Sequence, residues 1–206
     1  MMKKLLILFG GVVVGLVMLA YFLLQPKTAE PAPQQTLVQE TAQPTPTAAT
    51  IPAGWKTFTS EELGFSFSYP ASAEIKYDST DPLIVVVFER GANQKGQTEL
   101  YDGLSVTFQV LPITGDKSFK QQLDAYILDQ TSNGIDLVEP VTQTQVNGYA
   151  GYQYTLRGLG EYSSVAVELP NQTDYVAVTN TSADYQGTFY QEQGQQLLST
   201  LRLIER

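Results

Sequence analysis

The 206-residue chain contains no cysteine and no histidine. Without cysteine there is no disulfide, no thiol nucleophile, no thiolate metal site and no residue for a lipoprotein signal to acylate. Without histidine the commonest general base and the commonest transition-metal ligand are missing. A Ser-His-Asp triad and a His-ligated zinc centre are therefore excluded. Positive charge is also scarce, with 12 Lys and Arg against 21 Asp and Glu and a net charge of −9. From Trp55 onward, nine cationic residues face nineteen acids. A field of that sign repels phosphate backbones and anionic lipid surfaces, so no nucleic acid is expected as a partner. No cofactor is expected either. The GLGEYS run from Gly158 lacks the third glycine of a dinucleotide fingerprint and lies between strands, and there is no D-x-[DN]-x-[DN]-G calcium loop. Carboxylates, Lys, Tyr and Ser remain as possible catalytic groups.

What the chain does contain begins with Lys3 and Lys4, followed by an uncharged run from Leu5 to Leu24. At about 1.5 Å per residue this run spans a hydrocarbon core of about 30 Å. The expectation is a cytoplasmic segment 1–4, a transmembrane signal anchor 5–24 and an extracytoplasmic remainder, with Tyr21 and Phe22 at the far interface. A cleaved secretory signal is the alternative. Its apolar region would be unusually long, no clean A-x-A follows, and it too places the remainder outside the cytoplasm. Gly11 and Gly15 form a GxxxG pair through which two such helices can associate weakly, although glycine is common in membrane helices anyway. Residues 25–54 are rich in Pro, Thr, Ala and Gln. They carry too little apolar surface to offset ordering entropy and read as a disordered spacer.

From Trp55 to Arg206 strand signals dominate. Phe65, Phe67 and Tyr69 alternate with Ser66 and Ser68, the pattern of a strand with one apolar face. Ile75 to Asp78 is expected to be its hairpin partner across PASA. Leu83 to Phe88 is apolar on both alternating faces, which predicts a central strand covered on both sides. A polar loop follows, and then Leu104, Val106, Phe108 and Val110 alternate cleanly. Ser118 with Gln121 three residues later is a capping box. It opens a helix carrying Phe119, Leu123, Tyr126 and Ile127, which Asn133-Gly134 ends. Four β segments come next, joined by turns at Asn147-Gly148 and at 171–174. A last helix is expected over about 182–198, carrying Tyr185, Phe189 and Tyr190 and weakened by Gly187 and Gly194. LRLIER is expected to close the sheet. The fold class is α+β with a largely antiparallel sheet.

Several of these stretches resemble bacterial PsbP-like domains. The opening Leu63-Gly64-Phe65-Ser66-Phe67-Ser68-Tyr69-Pro70 after Trp55, the apolar LIVVVFE strand, the helix start at Ser118, the VNGYAGYQY hairpin and the closing LLSTLRL occur there in a similar order. PsbP itself is the extrinsic subunit of the photosynthetic oxygen-evolving complex. The resemblance covers residues 55–206 and implies an antiparallel sheet sandwiched between helices, an α/β/α arrangement. It brings no catalytic signature, and its motifs are structural. The expected anchor and spacer are similar to those of bacterial envelope proteins, so the resemblance is applied to the fold and not to a photosystem role.

Candidate site residues are few. Tyr149, Tyr152, Tyr154 and Tyr162 gather around one hairpin. Tyr152, Tyr154 and Leu156 alternate with Gln153, Thr155 and Arg157, so they are assigned to core packing. Tyr149 and Tyr162 are the candidate binding residues. Glu61, Glu62, Asp102, Glu161 and Glu168 are candidate acids, but a glycosidase pair has to stand about 5–10 Å apart across a cleft. Asp78 and Asp81 are assigned to a turn ahead of a weak cation site. The leading expectation is a membrane-anchored, extracytoplasmic, non-enzymatic binding or scaffold domain with an envelope protein or glycan as partner. The alternative is a carboxylate-dependent envelope hydrolase acting on glycan.

Overall fold

The computed structural model describes residues 50–96 and 99–205. The expected cytoplasmic segment 1–4, the anchor 5–24, the Gly11/Gly15 pair and the spacer up to residue 49 lie outside the described residues. Among the described residues no helix is long and apolar enough to cross a membrane.

The elements run β1 (Trp55–Ser60), β2 (Phe65–Pro70), β3 (Glu74–Tyr77), β4 (Ile84–Arg90), β5 (Gly103–Pro112), α1 (Phe119–Ser132), β6 (Asp136–Val146), β7 (Tyr149–Arg157), β8 (Glu161–Glu168), β9 (Asp174–Asn180), α2 (Phe189–Ser199) and β10 (Arg202–Leu203). They form a seven-stranded sheet in the order β3-β4-β5-β9-β8-β7-β6 and a three-stranded sheet in the order β1-β2-β10. Every pairing is antiparallel, as the sequence led one to expect.

Alternation in the sequence sorts residues onto the faces of the large sheet. Leu104, Val106, Phe108 and Val110 of β5 are all buried on one face. There they meet Val85 and Val87 of β4 and Val176 and Val178 of β9. The small sheet covers this face through Phe65 and Phe67, with the Phe67 ring stacked on Phe108 at 4.2 Å and 4°. α2 covers the rest through Leu197 and Leu198. The opposite face carries Tyr154, Leu156, Ala166, Tyr175 and Ala177, closed by Leu123 and Ile127 of α1. The expected sandwich is present, but one of its outer layers is part helix and part sheet.

Three expectations are corrected. β3 pairs with β4, not with β2. Both edges of β2 are already taken, by β1 and by β10, and the tight turn closed by Ala73 N–H to the Pro70 carbonyl at 3.1 Å sends the chain across to the large sheet. β4 is next to an edge rather than central, and its Ile84, Val86 and Phe88 face is only half-buried. Its cover there includes the Lys76 ammonium, 4.3 Å from the centre of the Phe88 ring. The last helix begins at Phe189, not near Ser182. Ala183 is bridged to Gly103 through both backbone bonds. Gly187 sits at φ 91°, and the Asp184 carboxylate accepts the amides of Tyr190 and Gln191 at 2.8 and 3.0 Å, capping the helix from outside it. Tyr185 and Phe189 are consequently exposed. Gly194 lets α2 approach β9 closely, because a Cβ there would force the Asn180 side chain to move.

The other local readings hold. The capping box is present in both directions, with Gln121 N–H donating to Ser118 Oγ at 3.3 Å and Ser118 N–H to Gln121 Oε1 at 2.9 Å. Asn147 and Gly148 have φ of 47° and 84°, the left-handed pair that a two-residue hairpin needs. The back of β2, which alternation leaves polar, is closed rather than open. Ser68 is buried, and its amide donates to Thr200 Oγ1 at 2.8 Å.

Candidate functional site

The acids come first, because the hydrolase alternative depends on them. Glu61 and Glu62 are exposed in the turn between β1 and β2. Asp102 is buried, and its carboxylate accepts the amides of Asn93 at 2.7 Å and Tyr185 at 3.4 Å. It is a clamp holding two loops. Glu161 accepts from Arg157 Nη2 at 2.7 Å. Glu161 and Glu168 are the first and last residues of β8. At about 3.3 Å per residue they lie roughly 23 Å apart, far beyond an acid–base pair. Asp78 accepts from the Thr80 hydroxyl and from the amides of Thr80 and Asp81. These bonds, that of the hydroxyl first, lower its pKa. This is the expected turn. Among the described residues no three acids gather as a metal-binding group.

Tyr149 and Tyr162 are both half-buried. Tyr149 opens β7, packs under the small-sheet side and accepts the Leu203 amide at 3.3 Å. Tyr162 pairs with Leu156 near the far end of β7 and packs in the layer under α1, where burial raises its phenol pKa. The two lie on opposite faces of the sheet and are not brought together.

A concave site lies elsewhere, between the first turn of α1 and the β6–β7 hairpin. It is a cleft of about 510 Å³ lined by Phe119, Gln143, Thr144, Gln145, Tyr152 and Glu168. That is within the usual size of a ligand pocket. The capping box places Phe119 at the head of α1. Its ring meets Tyr152 edge-on at 5.4 Å and Tyr175 at 5.2 Å. Ala150 and Gly151 also line the cleft; a Cβ at Gly151 would collide with the Ala166 carbonyl of β8. Lys120 Nζ stands 5.6 Å from the Tyr152 ring centre and pairs with Asp124 at 2.6 Å. Desolvation raises the pKa of Glu168 at the rim. The site therefore offers an apolar, half-buried aromatic floor, amide and hydroxyl groups along one wall, and one partly desolvated carboxylate. It can hold a ligand. Among the described residues it has no second carboxylate to work with Glu168, and no nucleophile with an adjacent base.

A second groove, of about 680 Å³, lies between α2 and the ends of β6–β8. Its glutamates are occupied internally. Glu139 takes the Thr155 hydroxyl, Glu192 takes the Thr188 hydroxyl at 2.6 Å, and Glu161 takes Arg157. Tyr162 borders this groove, although its ring packs on the other side of the sheet.

Phe119 and Tyr152 were assigned to the core from their spacing, and each does contribute one edge to it. Their second role depends on a cleft assembled from three separate segments. The adjacent Ala150-Gly151, small residues beside an aromatic in a strand, is the trace it leaves in the sequence.

This architecture, an antiparallel α+β domain with helices on both faces, is a PsbP-like fold. The solution structure of cyanobacterial PsbP, CyanoP, from Synechocystis matches it with a TM-score of 0.52 at 13% identity, over 73% of this chain and 93% of that one. A crystal structure from Bacteroides thetaiotaomicron aligns with a TM-score of 0.45 at 11% identity, over 74% of this chain and 49% of its own. At such identities the likeness concerns the fold. No protein-family profile and no curated protein matches the chain.

Proposed function

We propose that this protein is a membrane-tethered, extracytoplasmic binding domain without catalytic activity, and that its partner is recognised at the α1/β6–β7 cleft. The observation that carries this reading is the cleft itself, with its half-buried Phe119/Tyr152 floor and its rim of Gln143, Gln145 and Glu168. Tethering rests on the uncharged run from Leu5 to Leu24 behind Lys3 and Lys4. The Pro/Thr-rich spacer would set the domain off the bilayer by roughly 30 Å as a coil. Weak helix association through Gly11 and Gly15 is compatible with this arrangement.

The test is made in intact cells, with a photo-crosslinking residue at Gln145 in the cleft or at Leu128, which is exposed on α1. Adducts from position 145 and none from position 128 are expected, with the domain open to protease added outside. Identical adducts at both positions, or none at either, would overturn the assignment of the cleft. Protection from external protease would overturn the topology.

A further inference from the structure

The two edges of the large sheet are defended very differently. At one edge, β3 is short and carries Glu74 and Lys76, whose charged ends lie 3.4 Å apart. Short length and charge are usual ways of blocking a free edge. At the other edge, β6 is the longest strand of the domain, at 11 residues. Its first half is blunted by Pro140 and by register shifts between Leu137 and Thr142. From Thr142 to Val146 the register runs unbroken, and the sequence is Thr-Gln-Thr-Gln-Val, with no charge and no proline. Among the described residues no strand pairs with the outer side of β6.

The hairpin register decides which groups that edge offers. The two-residue Asn147-Gly148 turn is closed by the Val146–Tyr149 pair. Such a closing pair exchanges both ladder bonds, and the pattern then alternates along the strand. Val146, Thr144 and Thr142 thus turn their backbone groups toward β7, while Gln143 and Gln145 turn theirs outward. Gln143 and Gln145 are also the residues whose side chains line the cleft. A free ladder and an aromatic-floored pocket therefore lie side by side, which is the arrangement required for strand addition. Main-chain bonds supply affinity and a pocket receives alternate side chains.

Resting on the assignment of the cleft as the binding site, we propose that β6 accepts an extended polypeptide segment as an eighth strand. It pairs with Gln143 and Gln145 and places one apolar side chain on the Phe119/Tyr152 floor. Charge selects the segment. Glu168 stands at the rim, and the folded region carries ten more acids than cations, so the partner strand is uncharged or basic rather than acidic.

The probe is a capped heptapeptide of alternating valine and threonine with a lysine at each end, titrated into the detergent-solubilised full chain. Saturable binding is expected, with slowed hydrogen exchange at the amides of residues 143 and 145 and shifted ring signals from Phe119 and Tyr152. Gln143→Pro removes an outward N–H and leaves the inner ladder intact, so it is expected to abolish binding while circular dichroism is unchanged. Gln143→Leu keeps the N–H and is expected to retain binding, which separates loss of the edge from loss of the side chain. Glu168→Gln is expected to weaken binding about fivefold. A version of the probe with glutamate in place of lysine is expected to bind more weakly still. Absence of saturable binding, or binding that leaves the amides of 143 and 145 unprotected, would overturn strand addition. So would competition by chitotetraose, which would make the cleft a saccharide site. Crosslinks at position 145 in cells combined with any of these negative results would leave the cleft a binding site and remove only the strand.

Discussion

Phe65, Phe67 and Phe108 form a continuous stack beneath the three-stranded sheet, with Phe58 against Phe67 at 5.0 Å. Beneath α1 the corresponding layer is built around Tyr154 and Tyr175, with Tyr126 on the helix. One side of the same sheet is hydrocarbon at its centre, with buried Asn180 and Thr155 only toward the α2 margin. The other buries phenols that have to stay neutral. The difference follows from what covers each face. Two packed sheets meet across a wide area and can exclude water from whole rings. A single amphipathic helix covers a strip, and its margins suit side chains that are apolar along their length and polar at the tip. The cleft opens at such a margin, where α1 begins and Tyr152 is half-covered.

The contrast can be broken most severely on the hydrocarbon side. Phe67→Ala is expected to destabilise the domain by about 3–5 kcal/mol through lost burial and a cavity that the facing sheet cannot fill. Chemical denaturation measures it, and a loss under about 1 kcal/mol would show that the stack is not the core.

Alkaline pH acts on the other side. Burial pushes the phenols of Tyr154, Tyr175 and Tyr126 above their ordinary 10.0. Their folded pKa values exceed the unfolded ones, so their contribution is intact below pH 10.0 and is lost as pH rises beyond it. Tyrosine absorbance is expected to report ionisation together with opening of the α1 layer. Trp55, the single tryptophan, packs on the other layer. Its fluorescence is expected to change at the same pH if the layers unfold as one unit, and at higher pH if they separate.

Thr200→Val removes the acceptor of the buried Ser68 amide and is expected to cost about 1–3 kcal/mol in the same denaturation assay. Ser118→Ala removes the cap of α1 and is expected to cost about 1 kcal/mol. Amide exchange in the first turn of α1 should quicken while that of β2 stays slow. The smallest effect is expected at Glu168, whose folded pKa is raised by desolvation. For a carboxylate this sign means that stability declines as pH rises from its ordinary 4.5 through the folded value. Glu168→Gln should flatten that decline and leave stability at neutral pH equal or slightly higher, as a pH series of melts would show.

Much of this contrast was legible in the sequence, because it is written in local periodicity. Leu104 to Val110 and Phe65 to Tyr69 reveal their faces by alternation, Ser118 and Gln121 reveal a helix start, and Asn147-Gly148 a hairpin. What was not legible depends on distant partners. The pairing of β3 with β4 hinged on β2 having both edges occupied, one of them by residues far along the chain. The start of α2 was displaced because Asp184 caps it from outside and Ala183 is bound to Gly103. The cleft joins Phe119, the β6–β7 hairpin and Glu168, and no spacing rule connects those positions. Tyr149 and Tyr162 fall outside the alternation that assigns Tyr152 and Tyr154 to the core, and strand parity puts them on opposite faces of the sheet.

The bond from the Ser68 amide to Thr200 links residues 132 positions apart. It also sets a timetable. A chain made at roughly 5–20 residues per second needs on the order of ten seconds between these two residues. For that interval β2 has β1 beside it but neither β10 nor Thr200. Phe108, which stacks on Phe65 and Phe67, is made well before Thr200, so the rings can be covered while the outer edge and polar back of β2 are still unpaired. The first hairpin of this domain therefore keeps one open edge until the last strand has been made.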